Sequence, residues 1–181
     1  MKAFAGIGSR QTPDKLKPYI FEICKVLVSK GYTLRSGGAD GADSFFEEGY
    51  DLAGGNKEIF LPWKGFNANK SPLYEIPLWA YSVAAKYHPH WHNLKKGPMK
   101  LHARNAQQVL GKDLNDPVEF VICWTPDGCN HGSGRTNTTG GTGQAISIAS
   151  DYNIPVYNIQ NVFNMMTLED LLYGYEDLKN G

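Results

Sequence analysis

Short apolar runs alternate with longer amphipathic ones along the first sixty residues. Residues 2–7 are apolar and end in Gly6-Ile7-Gly8-Ser9-Arg10, which predicts a strand closing in a turn. Apolar positions then recur at helical spacing to about residue 30, with Thr12 as the expected N-cap and Pro13 where a missing N–H costs nothing. Residues 32–35 read as a second strand, 40–52 as a helix carrying Phe45 and Phe46, and 57–61 as a third strand closed by Pro62-Trp63. This β-α-β-α-β rhythm predicts a parallel sheet with helices on both faces, a three-layer α/β architecture. Between 64 and 98 the pattern loosens into Pro, Asn, His and Trp around a helix expected over 76–87, so the stretch reads as an insertion or a lid over the strand ends. Beyond it the pattern predicts a helix over 99–110, a buried strand over 118–124, a helix over 144–152, a strand over 154–159 and a last helix from Thr167. No repeat or low-complexity linker divides residues 1–181, which read as one domain.

Two of the strand-to-helix turns are rich in glycine. Arg35-Ser36-Gly37-Gly38-Ala39-Asp40-Gly41-Ala42-Asp43 follows the second strand, and Thr139-Gly140-Gly141-Thr142-Gly143 lies between the strand at 118–124 and the helix at 144–152. Glycine removes the Cβ atoms that would keep backbone N–H groups from turning toward a ligand, and a helix start adds the positive end of its dipole. Both turns therefore read as phosphate cradles. In a parallel sheet the ligand crevice lies outside the carboxyl ends of the strands where their order reverses. The Gly8-Ser9-Arg10 turn, the Trp63 loop and the end of the strand at Trp124 all fall at such ends.

Composition narrows the classes of function. With 41% hydrophobic residues in 181, the chain can bury a proper core. Eighteen basic and eighteen acidic side chains cancel, which argues against nucleic acid as a partner. No leader-like segment and no membrane-spanning apolar stretch is seen, and three cysteines lack a CxxC spacing, so a cytoplasmic protein with reduced thiols is expected. The early Gly6-x-Gly8-x-x-Gln11 lacks the third glycine of a dinucleotide fingerprint, and no NAD or other cofactor is expected. His88, His90 and His92 alternate as metal ligands do, but Pro89 distorts the strand that would align them and no further ligand is placed to complete a shell; no metal is expected.

Four segments carry a resemblance: Gly8-Ser9-Arg10, the 36–43 glycine turn, Leu101-His102-Ala103-Arg104-Asn105, and Gly140-Gly141-Thr142-Gly143. Together they resemble the SLOG superfamily, which joins the Smf/DprA DNA-processing proteins to the LOG phosphoribohydrolases. The first glycine turn is similar to the SGxAxGID element of DprA, and the later segments to the HERK and PGGxGTxxE motifs of LOG enzymes. The resemblance implies a Rossmann-like fold and a pocket for a nucleoside phosphate, an ADP-ribose-like molecule or a cyclic nucleotide signal, which the protein would sense or sequester. It also implies a homodimer or higher homo-oligomer. In LOG enzymes the HERK arginine and the final glutamate of PGGxGTxxE help cleave an N-glycosidic bond; the first corresponds to Arg104, but the second falls on Ser147. A hydroxyl cannot replace that carboxylate, so binding without turnover is expected, ahead of a LOG-like phosphoribohydrolase and a DprA-like single-strand DNA binder.

The guanidinium forks of Arg10, Arg35 and Arg104 suit phosphate oxygens, although Arg35, ending a strand, reads equally as a structural pairing partner. Asn105 adjoins the last of them. Asp40 and Asp43 read first as caps of the second helix, with a ribose hydroxyl as the alternative for one of them; the phosphate should lie nearer Gly37-Gly38 or residues 140–143. Trp63 and Trp124 are candidate stacking surfaces or plain core. The polar segment 130–139 reads as a flexible linker or a phosphate-gripping loop. Substituting Arg104 is expected to weaken ligand binding with little effect on stability.

Overall fold

A computed structural model describes residues 2–174. Five parallel strands, β1 (Ala3–Gly8), β2 (Thr33–Ser36), β3 (Lys57–Ile59), β4 (Phe120–Trp124) and β5 (Val156–Asn158), form one sheet in the order β3-β2-β1-β4-β5. Alternation along β1 sets the layers, because successive side chains leave opposite faces. Phe4 joins Leu34, Phe120 and Ile122 in packing against helices α1 (Lys17–Ser29), α2 (Ala42–Ala53) and α6 (Val162–Tyr173). Ala3, Ala5 and Ile7 face the other way, with Val121 and Cys123, onto α4 (Lys96–Leu110) and α5 (Thr142–Asp151). The result is a three-layer, Rossmann-like α/β fold. Cys24, Cys123 and Cys129 are buried free thiols.

Two expectations near the first helix change. The Thr12 hydroxyl donates to the Ser9 carbonyl at 2.6 Å and caps no helix; a 3-10 turn (Asp14–Leu16) follows before α1, which carries Pro18 in its first turn. Helix α2 starts at Ala42 behind Gly41, so Asp40 lies outside it and is exposed. In the 64–98 stretch, α3 (Leu78–Tyr87) places Ala80 and Ala84 against Ala103 on the outer side of α4. Small side chains there let the two helices approach closely. No residue of 64–98 lines the cavity described next, so this stretch braces a helix and forms no part of that cavity's wall.

Candidate functional site

The strand order reverses at β1, which has β2 on one side and β4 on the other. Register pairs Gly8 with Trp124, so the two strands end side by side and the Ser9 N–H donates to the Trp124 carbonyl at 3.0 Å. Over these ends opens a cavity of about 670 Å³, walled by the turn after β1, by α4, and by the loop that enters α5. That volume suits a small-molecule ligand. Gly8, Ser9, Arg10, Arg104 and Asn105 line it, as do Thr139, Gly140, Gly141 and Thr142.

Of the first glycine turn only Ala39 and Asp43 reach this space, and its glycines do not. Its amides point at Asp43, whose Oδ1 accepts from the Gly8 N–H at 3.2 Å and whose Oδ2 accepts from the Ala39 N–H at 3.4 Å, with the Gly37 N–H also directed at the carboxyl. An internal carboxylate therefore fills the nest in which a phosphate was expected. Ser36, Gly37 and Gly38 lie behind the wall. The Ser36 hydroxyl donates to the Gly6 carbonyl at 2.7 Å, and a Cβ on Gly37 would overlap the Arg104 guanidinium. Gly38 sits at φ +63°, where a Cβ would press on Leu61 rather than on a ligand.

Arg35, Asp40, Trp63, Trp124 and Gly143 also leave the candidate list, since none lines the cavity. Arg35 is buried in an ion-pair network, its Nε donating to Glu58 at 2.6 Å and its Nη2 to Asp116 at 2.6 Å. Trp63 is 40% exposed and packs edge-on against Phe66. Trp124 turns into the opposite core and donates through Nε1 to Gln160. Gly143 backs onto Arg135, whose Nη1 donates to Ser147 Oγ at 3.0 Å; Ser147 lies outside the cavity wall.

Asp43 and Arg104 are 3% and 4% exposed, and Asp43 Oδ2 lies 3.8 Å from Arg104 Nη1. Burial pushes the Asp43 carboxyl up to about 6, against the pull of Arg104 and the three backbone N–H groups. Burial lowers Arg104, Asp43 opposes that, and the nearby Arg10 charge adds to it. With the Gln108 amide turned to satisfy its neighbours, its oxygen accepts from Arg104 Nη1 at 2.6 Å and from the Gly37 N–H at 2.9 Å. Arg104 Nε, buried in the wall, has no partner among the described residues. Arg10 is exposed at the rim and likewise has no ionic or hydrogen-bonding partner among them.

The second glycine turn is held from outside. Segment 130–139 is no slack linker: it forms two 3-10 turns, and Asp127 accepts from the hydroxyls of Thr136 at 2.6 Å and Thr139 at 2.5 Å. Burial works against the Asp127 charge, but these hydroxyls and the Cys129 N–H outweigh it and hold the carboxyl well below the usual range. Gly140 at φ +63° then swings the chain into α5, and a Cβ on Gly140 or Gly141 would meet open space. Gly140, Gly141 and Thr142 line the cavity where α5 begins, while the Gly143 and Gln144 N–H groups donate to the Gly140 and Gly141 carbonyls at 3.2 and 3.3 Å. Asn105 Nδ2 ties α4 to this turn through Gly141 O (3.5 Å) and Gln144 Oε1 (3.1 Å).

His102 and Gln108 are wall residues that the sequence reading did not place in the site, and Asp43, read first as a helix cap, is a third. His102 stood within the quoted Leu101–Asn105 segment, so the signal was present but unread. Among the described residues no group of three His, Cys, Asp or Glu side chains could hold a metal ion, and His88 instead packs against His102 with ring centroids 4.4 Å apart.

Fold and cavity together define a Rossmann-like α/β domain with a cleft at its topological switch point, where Arg10, Arg104 and Asp43 are the charged lining residues. No protein-family model matches the chain, and no curated protein matches it. Among solved structures it is similar to the Moco carrier protein of Chlamydomonas rheinhardtii, with 16% identity, a TM-score of 0.48, and coverage of 86% of this chain and 74% of that one.

Proposed function

We propose that this protein binds a nucleotide-derived small molecule through its phosphate, holding it for sensing or sequestration rather than turning it over. One observation carries the reading. Arg104 lines the cavity, and its buried Nε has no partner among the described residues, so its guanidinium keeps a donor that its own neighbours leave unused. Arg10 at the rim and the α5 N-terminus supply further positive potential around the same space, while Asp43 is already engaged by backbone N–H groups. The resemblance of Gly140-Gly141-Thr142-Gly143 to the PGGxGT motif supports the same placement. Candidate ligands are a nucleoside phosphate, an ADP-ribose-like molecule and a cyclic nucleotide.

Gly141→Val tests the proposal. Gly141 has φ −64° and ψ −27°, which valine tolerates, and its Cβ would project into open space, so folding should survive while phosphate approach is blocked. Calorimetry against AMP, ADP-ribose and a cyclic dinucleotide should show binding by the wild type that the variant loses. Equal affinities, or no binding by the wild type, would defeat the reading.

A further inference from the structure

The carboxyl of Asp43 lines the same cavity as the guanidinium that would hold a ligand phosphate. Its Oδ2 stands 3.8 Å from Arg104 Nη1, and both side chains are buried. An anion that reaches Arg104 from the cavity therefore approaches Asp43 as well. Two negative charges sharing one cation repel strongly where little water screens them, and the repulsion vanishes when one of them is protonated. A phosphodiester stays ionised near neutral pH, so the carboxyl is the group that takes a proton from solvent. Burial already holds the free carboxyl at about 6, within reach of neutral pH. Resting on the phosphate reading above, we infer that Asp43 makes loading of this cavity pH-dependent: an anionic ligand binds together with a proton on the Asp43 carboxyl, and affinity rises as the solution is acidified.

The groups around Asp43 leave this part to it. Arg104 faces it from α4, and Arg10, on the turn after β1, acts on Arg104; guanidinium cations do not titrate near neutral pH. The N–H groups of Gly8, Ala39 and Gly37 face its oxygens and cannot exchange charge. Along its own segment, Glu47 is tied to Lys57 and Asn69, and Asp40 is exposed and outside the cavity wall. His102 is the other titratable lining residue, with His88 stacked on it from the end of α3. Burial lowers both rings from their ordinary 6.5. Their protonation would also favour an anion, so the experiment must separate them from Asp43.

Chemical-shift titrations of the full chain with ADP-ribose and with sulfate, at about pH 5 and about pH 7.5, do so. Both probes keep a constant charge over that range, whereas the phosphate of AMP gains a proton near pH 6. Wild-type affinity for each should be at least about fivefold tighter at the lower pH, since one pKa unit of coupling corresponds to about tenfold. Asp43→Asn should bind at about pH 7.5 within about threefold of the wild type at about pH 5 and lose most of the dependence. His102→Gln should keep the dependence, whatever its absolute affinity. An asparagine amide would turn an N–H toward donors that Asp43 accepts from, so the wild type supplies a second measurement. Calorimetry with ADP-ribose at about pH 7, in buffers of different ionisation enthalpy, should show net proton uptake on binding, because linkage is reciprocal. Equal affinities at both pH values, a dependence that survives in Asp43→Asn or vanishes in His102→Gln, or binding without proton uptake would overturn the inference alone. Failure of both probes to bind at either pH would instead overturn the phosphate reading beneath it.

Discussion

Arg104 illustrates how one side chain can serve the fold and the cavity together. It is the only cation within ion-pair distance of the buried Asp43 among the described residues, and it donates to Gln108. Arg104→Ala should therefore destabilise the protein by about 3–5 kcal/mol in urea unfolding, the usual cost of removing one member of a buried pair, where the sequence had suggested little change. A loss below about 1 kcal/mol would mean that Asp43 reaches water. Asp43 itself makes stability depend on pH. Its folded pKa of about 6 lies above its ordinary 3.8, so the folded state takes up the proton first and the ionised carboxylate opposes folding above about pH 6. The stability of the wild type relative to Asp43→Asn should accordingly rise as pH falls from about 7.5 to about 5, measured by paired thermal melts. A flat difference would place the pKa elsewhere.

At the scale of elements, the positioning of the second glycine turn depends on Asp127. Removing that carboxylate in Asp127→Ala leaves the hydroxyls of Thr136 and Thr139 without their acceptor and should loosen residues 136–142, by about 1–3 kcal/mol of local stability. Hydrogen exchange should accelerate across that segment and stay unchanged in α1 and α2; uniform acceleration would refute a local clamp. The elements themselves were largely legible, because periodicity is a local signal and the strands and helices are short and regular. What fills a turn was not. A glycine-rich turn specifies free amides, and nothing in its own residues says whether a phosphate or Asp43 answers them. That Asp43 also reaches Gly8, thirty-five residues earlier, depends on β1 and β2 lying side by side. Arg35 stayed open between ligand and pairing partner for the same reason. Its partners Glu58 and Asp116 come from β3 and from the loop before β4, far away in sequence. Trp63 and Trp124 ended strands as stacking residues would, but the face each takes is decided by tertiary packing.

Across the whole molecule, the cavity is assembled from the β1 turn, the start of α2, the middle of α4 and the entry to α5, brought together by the β3-β2-β1-β4-β5 order. Glycosidic cleavage commonly uses a pair of carboxylates, and among the lining residues Asp43 is the single acidic one. Incubation with AMP should thus release no adenine by chromatography; turnover on the order of 1 per second would reinstate a hydrolase. The filled first turn bears on stoichiometry. Asp43 acts there as a tethered solute, held at an effective concentration that free phosphate does not match, so this molecule carries a permanent internal competitor for one of its two glycine-lined seats. Two motifs that look additive in sequence then count as one vacancy, and a titration should saturate at a single phosphate group per chain.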